Sequence, residues 1–233
     1  MCGSRWSAWV ICVIVLIGVE ASPLVLRAED SLGVKPLHAV PLSQVQHILP
    51  PRTELLVEAD AIERFLRDLD GVPPDWVMLH GHGHDDPNHD ERLFNLNRER
   101  DAKREGRTEL NRVVAFAWSG VLSTYDPESG GFHVVLGPRF TKTRWGLVRF
   151  KYEDFFGNLI AIPPSIHSKR LQREITQGRA PEIDVVMVGT LVPEESIVYD
   201  FSHDEDGRGV VMPVVRVQDI LYLYHPSSKT VRP

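Results

Sequence analysis

The residues whose types and spacing most readily suggest chemistry are His80, His82, His84 and His89, set in the tract His80-Gly81-His82-Gly83-His84-Asp85-Asp86-Pro87-Asn88-His89-Asp90. In an extended chain alternate residues share a face. His80, His82 and His84 would then project together, and Pro87-Asn88 would turn His89 back toward them. Neutral imidazoles grouped in this way are ligands for zinc, copper or nickel. The same stretch, rich in glycine, aspartate and proline, also suits a solvated loop whose histidines hydrogen-bond locally. Both readings stay open at the level of sequence.

A second constellation lies further along, where Arg139, Lys142, Arg144, Arg149 and Lys151 interleave with Phe132, Phe140, Trp145, Phe150 and Tyr152. Cations beside aromatic faces suit an anionic ligand or an acidic protein partner. Strand alternation sets Trp145, Leu147 and Arg149 on one side and Arg144, Gly146, Val148 and Phe150 on the other. If Val148 and Phe150 point inward, Trp145 and Arg149 are exposed together. The alternative is a solvated rim whose cations pair with acidic residues elsewhere in the chain.

The histidine tract resembles the start of the His-x-His-x-Asp-His motif of metallo-β-lactamase-fold hydrolases: His80 and His82 match, and an apolar stretch precedes them. His84 and Asp85 stand where that family has aspartate and then histidine. The resemblance implies a metal-dependent hydrolase, and it covers about ten residues. Other reaction signatures are lacking, since the chain has no glycine-rich phosphate loop and no Gly-x-Ser-x-Gly elbow. Aligned as a calcium loop, Ser202 to Pro213 puts Ser202 and Pro213 at the end positions, where acidic ligands are required. That stretch reads instead as an acidic hairpin tip.

The elements that must position these residues begin after a targeting segment. Arg5 precedes an apolar run from Ala8 to Val19 that ends at Glu20, the pattern of a signal peptide over residues 1–28 with cleavage after Ala21 or Ala28. An uncleaved anchor lengthened through Leu24 to Leu26 is the only membrane association the sequence suggests. Cys2 and Cys12 both lie in this segment, so the remaining chain has neither disulfides nor thiolate chemistry. A periplasmic or secreted location follows as the expectation. Residues 29–111 carry 10 basic and 17 acidic side chains, and residues 112–233 carry 14 of each. A negative chain outside the cytoplasm is a poor partner for nucleic acid.

Residues 29–111 read as a helical and irregular region. Ile62, Phe65, Leu66 and Leu69 recur at the spacing of one helical face over Glu58 to Leu69, which Gly71, Pro73 and Pro74 stop. Trp76 to Leu79 reads as a short strand. Asp90 to Glu109 reads as a helix anchored by Leu93, Phe94 and Leu96 and otherwise solvated, its charges alternating in sign.

From Arg112 the period becomes that of strands. A first strand from Val113 to Leu122 bends at Gly120, a second spans Phe132 to Leu136, and a third spans Gly146 to Phe150. A helix covers Ser165 to Gln177, and strands follow over Glu182 to Val192 and Val210 to Tyr224. The stretches Trp118-Ser119-Gly120-Val121-Leu122, Val185 to Leu191 and Val214 to Val217 resemble the OB-fold domains of exported bacterial proteins. That resemblance implies an α+β chain: a small OB-like five-stranded barrel over residues 112–225, followed by a tail over 226–233. The long connection from Pro193 to Gly209 departs from the pattern and leaves a small mixed barrel or sandwich as the alternative.

Two functions fit. One is an exported, non-catalytic binding or assembly module without a cofactor, taking an anionic partner at Arg139, Lys142, Arg144, Trp145 and Arg149. The other is a periplasmic metal-binding protein or hydrolase holding zinc, copper or nickel at His80, His82, His84 and His89.

Overall fold

In a computed structural model, the structure describes residues 36–41, 44–81, 86–153, 157–201 and 209–223. Along the chain run β1 (Leu37–His38), α1 (Val45–Ile48), β2 (Glu54–Leu56), α2 (Ala59–Asp70), α3 (Trp76–His80) and α4 (His89–Arg104). The strand-rich part follows with β3 (Val113–Asp126), β4 (Gly131–Gly137), β5 (Thr141–Thr143), β6 (Gly146–Val148), β7 (Lys151–Glu153) and β8 (Ile160–Ile162). It ends with α5 (Ser165–Thr176), β9 (Glu182–Leu191), β10 (Ile197–Phe201) and β11 (Gly209–Leu223). All of these lie in one unit, Leu32–Pro233.

The chain is a mixed α+β fold around one large sheet. Its long strands are antiparallel neighbours: β3 pairs β4 and β9, and β9 pairs β11. Their sequences explain their place, since β9 and β11 are nearly continuous β-branched and aliphatic runs, which suit strands buried on both faces. β11 serves two ladders in turn. Its first residues lie between β10, antiparallel, and β6, parallel, whereas Val214–Arg216 pair β7 in parallel and the strand from Val215 onward pairs β9. The strand path runs β1-β8-β4-β3-β9-β11-β6-β5 and is open. The barrel expected over residues 112–225 is therefore not closed, because β4 is flanked by β3 and β8, and among the described residues no pairing joins it to β5 or β6.

The main core lies between the sheet and the helices. Ile62, Phe65, Leu66 and Leu69 of α2 are all buried there, as their spacing requires. α3 corrects the strand expected at Trp76–Leu79. A short apolar run has no decisive period, and here Asp75 caps a helical turn by accepting from the Met78 amide at 3.0 Å. α4 is a helix over the charge-rich stretch, but Phe94, expected as an anchor beside Leu93 and Leu96, is exposed, whereas Arg100 and Arg104, expected in solvent, are buried. β10 falls inside the stretch expected to be a connection, with Ile197, Tyr199 and Phe201 inward and Val198 and Asp200 less buried.

On the sheet's opposite face a second apolar cluster of Val45, Ala115, Val186, Val188 and Leu223 is covered by the segment around α1. No helix among the described residues is long and apolar enough to cross a membrane. The targeting segment, residues 1–28, and the acidic tip at Ser202–Gly207 lie outside the described residues.

Candidate binding face

The β5–β6 hairpin is the element that presents the cationic set. Thr143 pairs Gly146, so Arg144 and Trp145 form a two-residue turn. Gly146 is required there: its φ is +117°, and a Cβ on it would sit 2.4 Å from the Gly209 carbonyl oxygen. The turn breaks the alternation assumed for Trp145. Its ring is 3% exposed and joins Val148 and Phe150 in the core, with the Arg100 guanidinium 5.6 Å from the ring centroid. Its carbonyl accepts from Trp76 Nε1 at 2.7 Å. The exposed Trp145 expected from strand alternation is thus corrected to a core residue.

Two of the cations are neutralised by the fold. Arg144 donates from its amide and its Nε to the two carboxylate oxygens of Glu63, at 2.8 and 2.6 Å. Those donors hold the Glu63 carboxyl below its usual range, the backbone hydrogen bond contributing most. Arg139 stands 3.6 Å from Asp184.

Arg149 and Lys142 remain on one surface. Lys142 lies opposite Leu147, Leu147 beside Val210, and Val210 opposite Asp200, so these four form a row across β5, β6, β11 and β10. The next row is built around Arg149. Its amide donates to Val211 O at 3.0 Å, which carries the β6 ladder one residue further and sets its side chain beside Met212, opposite Val198. The guanidinium lies 5.9 Å from the Phe140 ring centroid and donates to Met212 Sδ at 3.5 Å. Among the described residues its buried Nε has no hydrogen-bond partner. Among the described residues no carboxylate lies within ion-pair distance of it. A half-buried guanidinium held by an aromatic ring and a thioether offers unfilled donors to an anion, with the ammonium of Lys142 on the same sheet face.

The histidines come together in part. His80 ends α3 and His89 begins α4, with ring centroids 5.6 Å apart. Phe201 stacks on His89 at 4.1 Å and meets His80 edge-on at 5.5 Å. His89 Nδ1 is 3.0 Å from Asp90 Oδ1, and Asp86 pairs Arg92 at 2.8 Å. His82 and His84 lie outside the described residues. Among the described residues no group of three or more histidine, cysteine or acidic side chains could hold a metal ion.

A buried ionic centre was not anticipated. Asp70 Oδ2 at the end of α2 accepts from Arg104 Nη1 at 2.7 Å and from the Tyr199 hydroxyl, with Arg100 Nη1 at 3.4 Å. Arg104 and the Asp70 side chain are each 1% exposed. Burial, then the neighbouring Asp70 carboxylate, raises the Tyr199 phenol far above its usual range, which keeps it protonated as a donor. Arg104 also donates to Ile197 O at 2.9 Å, and Arg100 to Val72 O at 2.9 Å. The centre ties α2, α4 and β10 together and presents no nucleophile or base to solvent.

The chain matches no protein-family model, no curated protein and no solved structure.

Proposed function

We propose that this chain is an exported, non-catalytic binding or assembly module that takes an anionic ligand or acidic partner on the β10–β11–β6–β5 face. The observation that carries the reading is Arg149, a half-buried cation with no carboxylate within ion-pair distance among the described residues, while Arg144 and Arg139 are paired. The part of the guanidinium that stays exposed offers charge-assisted donors to an anion. The periplasmic or secreted location rests on Arg5 and the apolar run from Ala8 to Val19.

The OB-like reading is supported by strand order. The first strand pairs the second and the fourth, the fourth pairs the fifth, and the fifth pairs the third in parallel, with α5 between third and fourth. These are the adjacencies of that barrel, which is commonly left partly open. Here the opening falls between the second and third strands.

Titration of a fluorescent polyglutamate peptide against the purified chain tests the reading. Arg149→Ala is expected to weaken binding about tenfold, as loss of a charge-assisted contact does, and the loss should shrink at high salt. Arg144→Ala should change binding little, since Glu63 already holds that side chain. Equal affinity of wild type and Arg149→Ala overturns the proposal.

A second reading, a transition-metal site at His80, His82, His84 and His89, is favoured by the close packing of the His80 and His89 rings. Metal analysis of protein purified without a histidine tag tests it. Absence of stoichiometric zinc, copper or nickel after incubation with each ion removes it.

A further inference from the structure

The side of the sheet turned away from the main core holds a trough of about 510 Å³ that is lined by none of Lys142, Leu147, Arg149, Val210 or Met212. Its floor comes from strand register: Ala117 of β3 lies opposite Val186 of β9, and Leu223 of β11 lies opposite Asp184. Ala117 is the small member of this row, and its missing bulk leaves space that a larger side chain would fill. Val45 of α1 and Val57, just before α2, wall the trough. Apart from Gln46, Glu58, Arg139 and Asp184 the lining is apolar, and the volume lies in the range of small-molecule sites.

The polar groups stand at the rim. Arg139 and Asp184 face each other at 3.6 Å and cancel one another's charge. Glu58 is the N-terminal flanking residue of α2, but its side chain does not cap the helix. Its carbonyl accepts from the Ala61 and Ile62 amides at 3.1 Å, while its carboxylate makes no ion pair or hydrogen bond to any described residue. The rim therefore carries one uncompensated negative charge beside an apolar floor.

We infer that this trough binds a small amphipathic amine, with its alkyl chain over Ala117, Val186 and Leu223 and its ammonium group at Glu58. Coulombic complementarity selects the head group, and burial of the chain supplies the affinity. A carboxylate head would meet the net negative rim and be disfavoured. A neutral head would gain the apolar contact alone.

Calorimetric titration with hexylamine, hexanol and hexanoate at neutral pH tests the assignment on the full chain. Saturable binding is expected for hexylamine, about fivefold tighter than for hexanol, with hexanoate weakest. Glu58→Gln should bring hexylamine to the hexanol affinity and leave hexanol unchanged. Because Glu58 is exposed, this variant does not disturb the core. Ala117→Leu should fill the floor and abolish binding of both. Hexanoate binding as tightly as hexylamine, no saturable binding by any of the three, or an unaltered affinity in Glu58→Gln overturns the proposal. So does concentration-dependent dimerisation unaffected by hexylamine, which would mean that a second copy covers this face. None of these outcomes bears on polyglutamate binding at Arg149.

Discussion

Asn97 of α4 holds Tyr199 of β10 by both of its backbone groups: Asn97 Nδ2 donates to Tyr199 O at 2.9 Å, and Asn97 Oδ1 accepts from Tyr199 N at 2.8 Å. The side-chain amide takes the place that a neighbouring strand would occupy. β10 pairs only β11 among the described strands, so the helix is what covers its outer edge.

Asn97→Ala is therefore expected to destabilise the fold by about 1–3 kcal/mol, since it leaves a part-buried amide and carbonyl unsatisfied. Urea denaturation measures the loss, and amide exchange at Tyr199 should accelerate in step. A change within about 0.5 kcal/mol would mean that the edge is solvated without Asn97.

Asp70→Ala should cost more, about 3–5 kcal/mol, because it leaves the buried Arg104 and Arg100 without their shared carboxylate. Tyr199→Phe removes one donor and leaves the ion pairs in place, so a loss of about 1–2 kcal/mol is expected. Chemical denaturation of the two variants should give that order. The reverse order would show that the carboxylate is held by the phenol rather than by the arginines.

These long-range pairs mark the limit of what the sequence discloses. The α2 face was legible because Ile62, Phe65, Leu66 and Leu69 repeat at a helical period that needs no partner to be recognised. β3, β9 and β11 were legible for the same reason, being long runs of β-branched residues. Arg100 and Arg104 sit in a stretch of alternating charge, and only the fold brings Asp70 to them across 34 positions of sequence. β10 carried a signal, the alternation of Ile197, Tyr199 and Phe201, which the acidic stretch after it obscured. Of the cationic set, sequence could not separate Arg149 from Arg144, because Glu63 lies 81 positions away, nor place Trp145 in the core, because the turn at Arg144–Trp145 breaks the alternation.

The Glu63–Arg144 contact makes part of the stability depend on pH. Folding lowers the Glu63 pKa below about 4.5, so its contribution is fully present above that value and is lost as pH falls through the lower folded value. The stability difference between wild type and Glu63→Gln is expected to be constant from about pH 7 to pH 5 and to shrink on further acidification. Denaturant midpoints of the two proteins across this range measure it. A difference that grows toward low pH would contradict the assignment.

Trp145 and Arg149 should behave as opposites although they are four residues apart on one hairpin. Trp145 is buried in the main core, lies against the Arg100 guanidinium and anchors Trp76 through its carbonyl. Trp145→Ala removes the ring from the core, a truncation that costs about 3–5 kcal/mol. It also withdraws the aromatic face from the buried Arg100, which adds to the loss. Arg149→Ala deletes a side chain that donates to Met212 Sδ and whose buried Nε has no partner among the described residues, so the folded state loses little. A change of less than about 1–2 kcal/mol is expected. Urea curves of the two variants, with polyglutamate titrations of the same preparations, separate core from binding face. Trp145→Ala should be strongly destabilised, whereas Arg149→Ala should be nearly wild type in stability and weak in binding. A large stability loss in Arg149→Ala would show that its guanidinium is structural, and the binding face would lose its central cation.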